Sequence, residues 1–138
     1  ELLEEITFKK GAVSVIIYHQ ILKEAANHQM IEVLNEVGGL YQLGNDLFDV
    51  YKDSRDSIYT IPNTCKNFNM LRESFIEKVK KMNGLISGLP YNQTRKDRFS
   101  IILNSINARS LVAIDEWISL QEKNGKDVSR INQKRICF

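Results

Sequence analysis

Apolar residues recur at steps of three and four along most of this chain, and that spacing predicts helices. Over residues 12–27 the β-branched cluster Val13, Val15, Ile16 and Ile17 is also compatible with a short buried strand. The apolar pattern continues through Ile21, Leu22, Ala25 and Ala26, which favours helix. A second long helix is expected over residues 30–53, with Met30, Val33, Leu34, Val37, Leu40, Tyr41, Leu47 and Tyr51 as apolar positions. Gly38-Gly39 interrupts it, and glycine costs about 1 kcal/mol relative to alanine in a helix. That pair marks either a helix end or a close approach beside a pocket, with Gly44 keeping the approach to the following polar stretch open.

Residues 54–63 are expected to form a loop, closed by Ile61-Pro62, because a residue before proline is biased away from helix. A third helix over 66–87 carries the stripe Phe68, Leu71, Phe75, Val79, Met82 and Ile86, and Gly88, Pro90 and Asn92 end it. Thr94 with Asp97 resembles a capping box opening a fourth helix to residue 123. Its apolar positions are Phe99, Ile102, Leu103, Ile106, Ala113, Ile114, Trp117 and Leu120, and Asn124-Gly125 stops it. A short terminal helix is expected over 128–135. The fold class is all-α, a bundle of four to five helices in a single domain over 1–138.

Composition narrows the function classes. With 43% hydrophobic residues the chain can build a core. A formal charge of +2 gives no general electrostatic case for nucleic acid, and the basic tail (Arg130, Lys134, Arg135) has no recognition motif behind it. Cys65 and Cys137 make neither a disulfide framework nor a zinc site. No apolar run approaches the roughly 20 residues of a transmembrane helix, and no signal-peptide pattern is present. The expectation is a cytoplasmic protein with no transmembrane segment and no nucleic-acid partner.

Candidate chemistry concentrates in Asn45-Asp46-Leu47-Phe48-Asp49-Val50-Tyr51-Lys52-Asp53. Asn45, Asp49 and Asp53 repeat every four residues, so a helix stacks them along one face. Three oxygen donors in a row suit a hard cation such as Mg²⁺, which takes a few ligands from protein and the rest from water and substrate phosphate. Asp46 lies off that stripe and is expected to support it through a salt bridge or hydrogen bond.

NDLFDVYKD resembles the second metal-binding motif of class I isoprenoid synthases, the enzymes that ionise or condense prenyl diphosphates. Terpene cyclases carry N-D-x-x-S-x-x-x-E there; Asn45, Asp46 and Lys52 match, while Asp49 and Asp53 replace Ser and Glu. Squalene and phytoene synthases carry roughly Q-L-x-N-x-x-R-D-V-x-E-D, then an arginine and a Tyr/Pro loop. Gln42, Leu43, Asn45, Asp49, Val50 and Asp53, followed by Arg55, Tyr59 and Pro62, are similar to that pattern, with Phe48 and Lys52 departing from it. The resemblance covers about twenty residues.

It implies a helical bundle around an apolar cavity, Mg²⁺ held by Asn45, Asp49 and Asp53, and a prenyl diphosphate substrate contacted by Arg55, Lys52 and Tyr59. Such enzymes also use a first aspartate-rich motif on an earlier helix. No D-x-x-x-D or D-D-x-x-D occurs upstream, and the chain opens at Glu1 inside helix-like sequence. The expectation is therefore the C-terminal half of a larger all-α catalytic domain, inactive alone, with a missing N-terminal half or self-association to cover its apolar surface. The alternative is a non-catalytic helical module, derived from such an enzyme, that binds another protein.

Other candidates have plainer readings beside them. Lys9-Lys10-Gly11 sits at an expected helix start and could meet an anion, or be solvated. Arg109 among Asn104, Asn107 and Ser110 forms a polar patch that suits either a cavity mouth or an outer face. His19 and His28 lack partners at metal-ligand spacing and read as surface or satisfied residues. Phe48, Tyr41 and Trp117 read as core aromatics before pocket lining. Cys65 has no base to activate it and receives no role.

Overall fold

The computed structural model describes residues 2–22 and 27–124. Among them are six helices and no strand: α1 (Leu2–Leu22), α2 (His28–Phe48), α3 (Val50–Arg55), α4 (Ile61–Thr64), α5 (Phe68–Ser87) and α6 (Gln93–Asn124). The all-α expectation holds. Expected residues 128–135 and the basic tail lie outside the described residues, as does Cys137.

Two antiparallel hairpins make the bundle, α1 with α2 and α5 with α6, and α2 runs through the centre. Its buried face, Met30, Val33, Leu34, Val37, Leu40, Leu43 and Leu47, meets Phe68, Phe75, Met82 and Ile86 of α5 and Ala113, Ile114 and Trp117 of α6. Trp117 ties the layers at the ladder end of α2. Its ring stacks on Phe68 at 5.8 Å and its indole N–H donates to the Leu47 carbonyl at 3.2 Å. Asn83 and Asn104 exchange a pair of amide hydrogen bonds across α5 and α6, at 3.0 and 3.1 Å.

Gly38-Gly39 does not end the helix. A Cβ on Gly38 would lie 2.6 Å from the Ala12 Cα, one on Gly11 would strike the Gly38 carbonyl, and one on Gly39 would strike the Phe8 ring. The glycines therefore serve close approach, and the backbones of α1 and α2 meet where side chains would hold them apart. Gly11 does not punctuate α1 either. The helix runs unbroken from Leu2 to Leu22, so Lys9-Lys10-Gly11 is mid-helix and offers no free helix-start amides.

Other boundaries moved for local reasons. The 30–53 segment divides at Asp49 (φ −95°, ψ 6°), just after Leu47, whose carbonyl Trp117 engages, and a side chain entering the carbonyl ladder is a known cause of a bend. The expected loop over 54–63 keeps the last residues of α3, and Pro62 sits in the first turn of α4, where its missing N–H costs nothing. The chain leaves α3 through Ser57 in the left-handed region (φ 56°), with the Ile58 N–H closing onto the Asp53 carbonyl at 2.8 Å. At α6 the Thr94/Asp97 box does not form. Asn92 Oδ1 accepts from the Arg95 N–H at 2.9 Å, and Asp97 accepts from the Gln93 side chain.

The glycine contact gives a paired expectation. Gly38→Ala should lower stability by at least the roughly 1–3 kcal/mol of an overpacked core, because backbone rather than a mobile side chain must yield. Gly84, with nothing within 4 Å of a Cβ, should gain roughly 0.5–1 kcal/mol on Gly84→Ala. Thermal melting of both variants checks this, and equal effects would contradict the close-approach account.

Candidate functional site

Every fourth residue of an α-helix drifts by about 40° around the axis, since 3.6 residues make a turn. Over the eight positions from Asn45 to Asp53 that drift is about 80°, and the bend at Asp49 adds to it. The ladder accordingly fans out. Asn45 is exposed and lines a cleft, Asp49 is exposed at the bend, and Asp53 is buried at 8% exposure.

The cleft, about 460 Å³, opens beside the α1–α2 contact. Gly11 and Gly38 lie at its floor, Tyr18 and Tyr41 flank it, Leu103 reaches it from α6, and Gln42 and Asn45 supply its polar end. Its walls are mostly carbon, and the ladder begins where they end. Tyr41, expected to pack in the core, instead stands 47% exposed at this rim.

Asp46 completes the acidic group. It is buried and accepts a hydrogen bond at 2.7 Å from Nε2 of Gln42, a residue outside the ladder. Burial pushes its carboxyl above the ordinary value, opposed by the Gln42 bond, with the charges of Asp53 and Asp49 pushing it up further. Burial also raises Asp53, reinforced by Asp49. Lys10 of α1 acts on both in the opposite sense, and Lys52 opposes the rise at Asp53. Three carboxylates thus sit close enough to repel one another, and the charge of Lys10 on α1 eases two of them, Asp46 and Asp53. Lys10 was noticed in the sequence for a helix start that does not exist. Its real placement depends on the Gly11–Gly38 contact one residue away, which no local pattern announces.

The expected diphosphate contacts are more dispersed. Lys52 is exposed beside the ladder. Arg55 is engaged by its neighbour, Nε donating to Asp56 Oδ1 at 2.9 Å, and Tyr59 stands 78% exposed in the turn after α3. Among the described residues neither bonds to a ladder side chain. Arg109 stands over the Phe48 ring at 4.7 Å, so α6 contributes an exposed cation next to the ladder. The polar patch around it is not one surface. Asn104 pairs with Asn83, buried Asn107 donates to Met82 Sδ, and buried Ser110 fits against Gly44, whose Cβ would lie 2.7 Å from Ser110 Oγ.

Among the described residues, no three His, Cys, Asp or Glu side chains converge as a metal site. The chemistry of the donors nonetheless fits a hard cation. All are oxygen, the three carboxylates destabilise one another's charge, and water and phosphate commonly complete a Mg²⁺ shell. Trp117 and Phe68 are core. Cys65 is half-buried with its thiol pushed up by burial, away from the reactive thiolate. His28 is a surface residue, its Nδ1 3.6 Å from Glu32. His19 departs from the satisfied reading, because its buried Nδ1 has no hydrogen-bond partner among the described residues.

Comparison of the chain with protein-family models, curated proteins and solved structures finds no match.

The raised carboxyls set a pH dependence. Between the ordinary value of 3.8 and the raised values, the folded chain binds more protons at Asp46 and Asp53 than the unfolded chain does. Stability from these groups is therefore present below the ordinary value and lost as pH rises through the raised ones. Asp53→Asn, which cannot ionise, should melt higher than the parent near neutral pH, and the gain should vanish in acid below the ordinary carboxylate range. A lower melting temperature at neutral pH would contradict the assignment.

Proposed function

We propose that this chain carries the second metal-binding motif of a Mg²⁺-dependent class I isoprenoid synthase, a transferase or lyase acting on prenyl diphosphates. The observation that supports this reading most is the group of carboxylates, Asp46, Asp49 and Asp53, that follows Asn45, a residue at the polar end of an apolar cleft. Two of its carboxylates, Asp46 and Asp53, are buried where each costs stability near neutral pH. Groups held against stability in this way are characteristic of functional sites. The likeness of NDLFDVYKD and its flanking loop to the synthase motifs names the chemistry.

In this reading Asn45, Asp49 and Asp53 would hold the metal, with Asp46 and Gln42 supporting them from within the helix. Bound Mg²⁺ would neutralise the diphosphate leaving group as a Lewis acid. Lys52 and Arg55 add positive charge toward the phosphate oxygens, Arg55 by exchanging its exposed Asp56 partner for the substrate, and Tyr59 adds a hydroxyl donor. The carbon walls of the cleft receive the prenyl chain and keep water from the cation formed when the diphosphate departs. Turnover also requires the first aspartate-rich motif on a facing helix, and the described residues contain no such motif.

A second reading is favoured by one observation. Leu2, Ile6, Val13, Ile17 and Ile21 are each at least half exposed and fall on the side of α1 away from α2. A contiguous exposed apolar patch marks an interaction surface more often than plain decoration. A helical interaction module, or a self-associating one, would use that stripe to bind a protein surface and would need no chemistry at the ladder.

One experiment separates the two: Mg²⁺-dependent release of diphosphate from prenyl diphosphates by the protein as its native source produces it. The synthase reading expects Asp49→Asn and Asp53→Asn each to reduce that release by at least the roughly 10–100-fold seen when even supporting groups of metal sites are removed. Folding should be intact, with Asp53→Asn melting no lower than the parent. Unchanged activity in both variants, or no release by the parent protein, would sink the synthase reading, and the latter would favour the interaction module.

A further inference from the structure

A second cavity of about 400 Å³ lies at the other end of the α1–α2 hairpin, where the C-terminal part of α1, the start of α2 and the start of α6 meet. Counted along α2, Leu34 in its wall and Asn45 of the ladder are about 16 Å apart at 1.5 Å per residue. Leu34, Leu89 and Phe99 give the cavity an apolar interior, while His19, Arg95 and Lys96 bring polar atoms to it. Its volume falls within the roughly 300–1,000 Å³ of small-molecule sites, which combine mostly apolar walls with a few polar groups.

The charge around it is one-sided. The cavity lining includes two cations and no carboxylate among the described residues. Asp97, the acid nearest in sequence, has its carboxylate occupied by the Gln93 side chain at 2.7 Å. Lys96 donates to the Ser87 carbonyl at 2.8 Å and keeps its charge uncompensated, while Arg95 makes no side-chain bond among the described residues. The first turn of α6 is not itself the anchor, because Asn92 already accepts from the Arg95 amide. The side chains are. His19 adds its ring to the lining.

We infer that this cavity binds a small anionic amphiphile, a carboxylate or phosphate monoester on a short apolar chain. The head lies between Arg95 and Lys96, within reach of His19, and the tail lies on Leu34, Leu89 and Phe99. Arg95 meets the two oxygens of such a head through its planar fork, and Lys96 adds a point charge. This site is independent of the ladder and stands whether or not the chain belongs to a synthase.

The chain has two histidines, which makes the test direct. Octyl phosphate is titrated into the whole chain while the imidazole resonances are followed by NMR, alongside octanoate, inorganic phosphate and octanol. The expected result is a saturable shift of the His19 ring with octyl phosphate or octanoate, whichever head is preferred, while solvent-exposed His28 stays still. Inorganic phosphate and octanol should each bind about tenfold or more weakly, lacking the tail or the charge. Arg95→Glu, at an exposed position with no side-chain bond to lose, should weaken octyl phosphate by about tenfold or more with an unchanged melting temperature. Equal movement of both histidines, no shift at His19, octanol binding as tightly as octyl phosphate, or an unaffected Arg95→Glu variant would overturn the assignment.

Discussion

The structure depends on a backbone contact. Gly11 of α1 and Gly38 of α2 meet without side chains between them, and Phe8 packs onto Gly39 in the same way. That approach sets the distance and register of the α1–α2 hairpin. Register brings the charge of Lys10 within range of Asp46 and Asp53, lines the 460 Å³ cleft with glycine, and sends His19 to the cavity at the far end. The α5–α6 hairpin supplies the hydrophobic mass on the opposite face of α2, through Phe68, Phe75 and Trp117. Burial of those rings provides the nonspecific driving force. Glycine contact and the Trp117 bond to Leu47 supply the specific geometry.

Acidic groups placed near an apolar cleft work against the fold that carries them. Asp46 is relieved by Gln42 and in part by Lys10, while Asp53 has only the more distant help of Lys10 and Lys52. A chain selected for stability alone would put neutral side chains there. The same tension marks His19 at the opposite end of the bundle, whose buried nitrogen has no partner among the described residues. Each place has a cavity beside it.

Much of this was legible in the chain. The stripes of α5 and most of those of α2 and α6 name buried positions correctly, because each face meets a continuous hydrophobic layer and periodicity reports that directly. Tyr41 and Ile102 are exceptions, 47% and 60% exposed despite their spacing. What failed were features fixed by tertiary contact. Gly38-Gly39 has the same local signature whether it ends a helix or admits a neighbour, and only Gly11 on another helix decides. Lys10 draws meaning from its partners across the hairpin. The 45/49/53 repeat was visible, yet its fan depends on helical drift and on an indole some seventy positions away. The apolar residues of the outer stripe of α1 were readable in the chain, while the fact that the stripe stays open was not.

The central claim is that the oxygen-rich segment from Asn45 to Asp53 takes a divalent cation together with diphosphate. Paramagnetic broadening by Mn²⁺, added with inorganic diphosphate as a probe for the Mg²⁺ complex, tests it even where affinity is weak. The account predicts broadening of amide signals centred on residues 45–53 and on the facing segment around Lys10, reversed by excess Mg²⁺ and lost in an Asp49→Asn/Asp53→Asn double variant. Broadening centred on other acidic surfaces, or a pattern unchanged by the double variant, would contradict it.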